Sequence, residues 1–263
     1  MELRLDGKVA IITGAASGLG LSIAEKYARS GANVVIADLN PDQAREVAAR
    51  IAKKNKVTAI GIAMDVTSEE QVNEGVQKIA DDLGTVDILV SNAGIQTIAP
   101  IVEFDYEDWK RLLDIHINGT FLTTKACMQQ MIRSGRGGSI IIMGSIHSVE
   151  ASMNKSAYVT AKHGLLGFTR ALAKEGAIHN IRANLIGPGF VKTPLVEKQI
   201  PEQAKALGIS EEEVVKNVML GNTVTGEFTT LDDIAVLALM FAAFPSNALT
   251  GQSMLATHGW HMA

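Results

Sequence analysis

The sequence predicts an α/β fold: a single domain over residues 1–263, built on a doubly wound parallel sheet with a helical substrate lid. Three observations predict it. Short β-rich apolar runs alternate with longer stretches of helical period, a glycine-rich turn follows the first run, and no linker, repeat or low-complexity segment breaks the alternation. At 263 residues, 47% hydrophobic and 20% charged, the chain has an ordinary globular composition and can bury a large core. A net charge of -4 leaves no basic footprint for nucleic acid. The single cysteine, Cys127, excludes an intrachain disulfide and a thiolate metal cluster, and its apolar helical surroundings make it a buried hydrophobe. No metal is expected. The amino terminus lacks a signal-peptide layout, and the longest apolar run, 234–244, is too short to cross a bilayer, so a cytoplasmic location is expected.

The elements follow in order. The first strand is expected over 9–13. Gly14-Ala15-Ala16-Ser17-Gly18-Leu19-Gly20 then runs into a helix over 19–30. Glycines there allow a tight turn, a close backbone approach to a pyrophosphate and close packing of helix on strand. The helix N-terminus offers free N–H groups to the anion. A second strand over 33–37 leads to a helix over 41–53, with Pro41 in its first position after Asn40. A third strand over 57–63 precedes a helix over 68–83, where Ser68 with Glu69, Glu70 and Gln71 has the pattern of a capping box. Strands over 86–91, 139–143 and 181–186 alternate with helices over 106–134 and 157–179. Residues 194–227 hold helix formers but no strand, beyond the carboxyl end of the sixth strand. A mobile lid and a plain surface hairpin both fit, and the lid is favoured because ligands bind at strand carboxyl ends.

Candidate site residues cluster at those ends. Asp38 closes the second strand, where a carboxylate accepts bonds from both adenosine ribose hydroxyls and repels a 2′-phosphate; Leu39 and Asn40 supply no cation to hold one. Asp65 and Val66 end the third strand and Asn92, Ala93 and Gly94 the fourth, so both should line the same crevice. These residues point to NAD. Tyr158 and Lys162, four residues apart, share a helical face. A free tyrosine, with a pKa near ~10, is a poor base at neutral pH. A neighbouring ammonium favours the phenolate, which can then serve as general base in oxidation and general acid in reduction. Such a pair is also a common packing arrangement. Ser145, just beyond the fifth strand, adds a hydroxyl donor beside a developing alkoxide.

TGAASGLG, Asp38, Asn92-Ala93-Gly94, Asn118, Ser145, the Tyr158–Lys162 pair and Pro188-Gly189 through Thr193-Pro194 together resemble the short-chain dehydrogenase/reductase family over nearly the whole chain. The resemblance implies a Rossmann-type fold and a catalytic set of Asn118, Ser145, Tyr158 and Lys162, with Asn118 holding a water in a proton relay that begins at Lys162. It also implies that Lys162 binds the nicotinamide ribose, and that Pro188, Gly189, Val191 and Thr193 meet the carboxamide. A homotetramer is the family expectation, and the apolar helix 234–244 and the apolar face of 106–134 fit it. One departure is Thr257-His258-Gly259-Trp260 where the family often has Asp-Gly-Gly.

The loop from Ser145 to Tyr158 must border the substrate. Its His147 and Lys155 suggest an anionic group, and a surface lysine with a loop histidine fits the same residues. Gly94-Ile95-Gln96, Ser145-Ile146-His147, Asn154 to Tyr158 and Thr193 to Ile200 resemble the bacterial D-3-hydroxybutyrate dehydrogenases within the family. That closer resemblance implies a carboxylate gripped by Gln96, His147, Lys155 and Gln199, with Trp260 also at the substrate. The end of the lid, 221–227, departs from it, so a longer or branched 3-hydroxy acid is also open. Two other readings stand beside this one: a reductase of another small alcohol or 3-oxoacyl group, and an idle NAD-binding sensor, against which the intact Ser145, Tyr158 and Lys162 speak.

Overall fold

The computed structural model describes residues 3–262. Seven strands form one sheet in the order β3-β2-β1-β4-β5-β6-β7, all neighbours parallel. They are β1 (Val9–Thr13), β2 (Asn33–Asp38), β3 (Ala59–Ala63), β4 (Ile88–Ser91), β5 (Gly138–Met143), β6 (Ile181–Pro188) and β7 (Ser253–Ala256). The helices are α1 (Gly18–Arg29), α2 (Pro41–Asn55), α3 (Glu69–Leu83), α4 (Tyr106–Leu113), α5 (Gly119–Ser134), α6 (Ser156–Gly176), α7 (Pro194–Leu207), α8 (Glu211–Glu213) and α9 (Leu231–Ala243). This is the doubly wound Rossmann-type architecture. Its strand order reverses between β1 and β4, which opens a crevice at their carboxyl ends.

Strand alternation divides the core in two. Ala10, Ile12, Val34 and Ile36 face α1, α2 and α9, packing on Ile23, Tyr27, Val47, Ile51 and Phe241. Val9, Ile11, Val35 and Leu89 face α3, α5 and α6, packing on Val76, Ile79, Met131 and Leu165. Because both faces are covered, β1 is buried at every position and reads as a continuous apolar run. Cys127 is fully buried in the second layer, where burial pushes its thiol pKa up, so it packs as a hydrophobe. Tyr27 Oη donates to the Ala238 carbonyl at 2.9 Å and ties α1 to α9.

Two local readings are corrected, and one strand was not read. Ser68 caps α3 by accepting from Gln71 N, but the Gln71 side chain accepts from Asp65 N, so the cap is one-sided. The helix expected over 106–134 is interrupted by a π turn, Asp114–Asn118, which separates α4 from α5. The strand β7, only four residues long, carries no periodic signal and extends the sheet at its edge. Residues 194–227 form α7, α8, a π turn over Val214–Met219 and the turns that follow, around a small core of Ala204, Val214 and Met219.

Candidate active site

One cavity of about 1010 Å³ opens at the carboxyl ends of the strands. At one end lies the glycine turn after β1. Gly14 and Gly18 have φ of +62° and +56°, in the left-handed region that favours glycine. A Cβ on Gly14 would press on Ala93 Cα at 3.0 Å, and one on Gly20 would collide with the Gly14 carbonyl and the Asn92 amide. The α1 N-terminus has no side-chain cap from Ser17, so its first-turn N–H groups lack a side-chain partner. Asp38 Oδ2 accepts from Ala16 N at 3.0 Å and Oδ1 from Asn40 N at 3.2 Å, which fixes its carboxylate at the β2 end of the cavity.

The β4 exit is stapled to that turn. Asn92 Nδ2 donates to the carbonyls of Thr13 (2.9 Å) and Gly14 (3.2 Å), and Thr13 Oγ1 accepts from Asn92 N and Ala93 N. The Asn92 amide therefore holds backbone. Asp65 accepts from Thr67 N and Oγ1 at 2.9 and 2.7 Å. On the far side, Gly189 N donates to the Ala256 carbonyl, and Thr193 Oγ1 caps α7 by accepting from Val196 N.

At the centre stand Ser145, Tyr158 and Lys162. Ser145 follows β5 and is held by its N–H donating to Ser148 Oγ at 3.2 Å. Lys162 is 5% exposed, donates to the Met143 carbonyl at 2.6 Å, and sits over the Tyr158 ring at 5.3 Å from its centroid. Burial lowers the Lys162 pKa to about 7. Burial also raises the Tyr158 pKa, and a hydrogen bond with Ser145 pulls the other way. In the protein alone, desolvation therefore outweighs the lowering expected from the ammonium.

The remaining expected residues gather around Tyr158. His147 meets its ring edge-on at 5.9 Å and meets Trp260 at 6.0 Å. Trp260 stacks on Phe190 at 5.6 Å and 17°, and Lys155 Nζ lies 5.3 Å over the Phe190 ring. Burial lowers the Lys155 pKa; burial and the Lys155 charge lower that of His147 to about 4. Gln96 and Gln199 complete this end.

Of the residues singled out from sequence, Gly14, Ser17, Gly18, Leu19, Asp38, Asp65, Val66, Asn92, Ala93, Gly94, Gln96, Ser145, His147, Lys155, Tyr158, Lys162, Pro188, Gly189, Val191, Thr193, Gln199 and Trp260 all line the cavity. Gly20 and Asn118 do not. Gly20 serves packing. Asn118 is a correction: it is exposed, and its amide donates to Asp114 Oδ1 at 2.7 Å, because the π turn directs a different residue inward. That residue is His116, 2% exposed, edge-on to the Tyr158 ring at 5.5 Å. His116 and Phe190 were missed. The available signals were a lone histidine between Ile115 and Ile117, and an aromatic placed between Gly189 and Val191.

Comparison with known proteins agrees with this geometry. Residues 8–204 match the short chain dehydrogenase family. The chain is 40% identical to a D-beta-hydroxybutyrate dehydrogenase of Rhizobium meliloti (96% of this chain, 98% of that protein). It is 35% identical to one of Cupriavidus necator (97% and 98%). A 3-oxoacyl-(acyl-carrier-protein) reductase of Aquifex aeolicus is 36% identical over 84% of this chain and 91% of its own. Among solved structures, NAD-bound xylitol dehydrogenase superposes with a TM-score of 0.91 at 30% identity, over 97% of this chain and 99% of that one. A gluconate 5-dehydrogenase of Burkholderia cenocepacia, in complex with NADP and tartrate, gives 0.88 at 30% identity, over 98% and 97%. The chain belongs to the short-chain dehydrogenase family. It is an oxidoreductase of alcohol and ketone groups that uses a nicotinamide cofactor.

Proposed function

We propose that this protein oxidises D-3-hydroxybutyrate, or a close 3-hydroxy acid, to acetoacetate or the matching 3-oxo acid, with NAD as cofactor. One observation carries the reading. Gln96, His147, Lys155 and Gln199, from four separate segments, line one cavity together with Ser145 and Tyr158. A polar set of this kind pairs with one carboxylate, holds the substrate in register and sets its C3 hydroxyl against Tyr158. Lys155, its ammonium disfavoured by burial, gains a counter-ion when the acid binds. The Phe190–Trp260 stack supplies an apolar wall for a short alkyl end.

The cradle of Gly14 and Gly18, a Cβ-free approach to Ala93 and an α1 N-terminus without a side-chain cap fit a dinucleotide pyrophosphate. Asp38 at the end of β2 favours NAD over NADP. When bound, the nicotinamide supplies the hydride acceptor. Tyr158 Oη takes the proton of the substrate hydroxyl, Ser145 donates to the developing alkoxide oxygen, and Lys162 supports the phenolate. In reduction the same phenol returns the proton. The resemblance assigns the relay water to Asn118, and the exposed position of that residue argues against the assignment. The assembly we favour is a homotetramer, on the strength of the half-exposed Phe121 on α5 and Val236 on α9.

Kinetics of Lys155→Ala test the substrate. The carboxylate reading predicts a KM for the hydroxy acid raised by about 100-fold, the worth of one charge-assisted contact of ~2–3 kcal/mol. A KM within twofold of the parent would overturn it in favour of another small alcohol or a 3-oxoacyl group.

A further inference from the structure

His116 is a buried histidine that the account so far leaves without work. Its Nε2 lies 2.8 Å from the Ile95 carbonyl and 3.2 Å from the Ile95 N–H. Nε2 faces both groups, and we place the proton there to meet the shorter contact, to the carbonyl; Nδ1 then carries a bare lone pair. That Nδ1 is buried and has no partner among the described residues. The π turn puts the ring there: a Cβ on Gly94 would run into it from one side, and Tyr158 abuts it from another. Burial and the neighbouring charge of Lys162 lower the His116 pKa to about 3, so the imidazole is neutral throughout the physiological range.

Lys162 has the complementary deficit. A buried ammonium carries three donors, and the one hydrogen-bond acceptor found for it among the described residues is the Met143 carbonyl. An acceptor without a donor and a donor without enough acceptors thus abut the same ring, His116 at 5.5 Å and Lys162 Nζ at 5.3 Å from the Tyr158 centroid. We propose that His116 is a positioning residue for the proton-transfer pair: its unprotonated Nδ1 accepts a hydrogen bond from Lys162, directly after a small rotation or through one water, and so holds Lys162 as the ammonium that supports the Tyr158 phenolate. The inference rests on Tyr158 as the proton-transfer group. The ionisable groups around Tyr158 are Lys162 on its own helix, His116 from the π turn, and His147 and Lys155 from the loop after β5. Asp114 lines the same cavity from the π turn, with its carboxylate taken by Asn118.

The test follows Lys162 itself in full-length, cofactor-free protein labelled with lysine carbon-13 at the ε position, with Lys162→Met identifying its signal. His116→Phe keeps the ring shape and removes the acceptor, whereas His116→Gln restores an amide oxygen. The expected result is a Lys162 midpoint about one pH unit lower in His116→Phe and largely restored in His116→Gln. In turnover, the acidic limb of the kcat/KM profile moves up by a similar amount in His116→Phe, while KM for the cofactor stays within twofold. Identical Lys162 midpoints in parent and His116→Phe would overturn the proposal, as would nitrogen-15 shifts placing the His116 proton on Nδ1. If His116→Phe fails to fold, His116→Leu, which also lacks the acceptor, replaces it with the same expected shift. Failure of the tyrosine assignment looks different: Tyr158→Phe would then keep its turnover, whatever the lysine titration shows.

Discussion

At the scale of single residues, burial biases His116, His147 and Tyr158 toward their neutral forms until a partner arrives. His147 Nδ1 lies 3.3 Å from the Glu150 carbonyl, which assigns the proton to Nδ1 and leaves Nε2 an acceptor. With a pKa of about 4 the ring is neutral at pH 7. A carboxylate seated against Nε2 favours the imidazolium, so the bound complex carries a raised His147 pKa and binding takes up a proton. The sign follows: affinity is greatest at low pH and falls as pH climbs from the free value through the bound one. KM for the hydroxy acid is therefore expected to rise as pH climbs above about 4 and to level off past the bound value, and His147→Gln is expected to lose that dependence. A parent KM that falls with pH would contradict this. Asp38 carries a second expectation. On the proposed NAD reading, Asp38→Ala removes the ribose contact and the repulsion of a 2′-phosphate, so the kcat/KM ratio for NAD over NADP should drop by about 10- to 100-fold, for ~1.5–3 kcal/mol. An unchanged ratio of kcat/KM values would show that cofactor choice is made elsewhere.

At the scale of elements, what could be read from sequence was what a short window of residues decides. Residues 9–13 and 19–30 were legible because a strand buried on both faces is apolar throughout and α1 keeps a helical stripe. The π turn was not legible: it inserts one residue into a regular helical period, and the composition of 106–134 hides it. The resemblance named Asn118, and the π turn buries His116 instead. The strand β7 escaped for another reason. Its four residues are held by pairing with β6, a tertiary contact that no local pattern records. Gly20 was read as a cofactor residue; it lies outside the cavity lining and instead lets α1 rest on the glycine turn. Gly20→Val would force a side chain into the Gly14 carbonyl and the Asn92 amide. The expected outcome is a loss of ~2–4 kcal/mol of stability, seen as an earlier melting transition, with cofactor affinity reduced as well. A melting temperature equal to that of the parent would mean the close packing of α1 is not needed.

At the scale of the whole molecule, the sheet order brings distant segments to one place. The reversal between β1 and β4 gathers Asp38, Asn92, Ser145 and Tyr158 at the carboxyl edge, and Phe190, Thr193, Gln199 and Trp260 line the far side. The C-terminal segment is tied on both sides. His261 Nδ1 pairs with Glu150 Oε1 at 2.7 Å, His258 Nδ1 meets Thr225 Oγ1 at 2.7 Å, and Val224 N donates to the His258 carbonyl. Trp260 is thereby held against Phe190 and His147. The central claim is that this enclosed end recognises a small carboxylate. Its most direct test is the initial rate of NAD reduction across D- and L-3-hydroxybutyrate, longer 3-hydroxy acids, uncharged secondary alcohols and a 3-hydroxyacyl thioester. The account predicts turnover with the D-3-hydroxy acids and little with the rest. Turnover with the uncharged alcohols alone, or with the thioester alone, would contradict the carboxylate site and leave the family chemistry of Ser145, Tyr158 and Lys162 serving a different substrate.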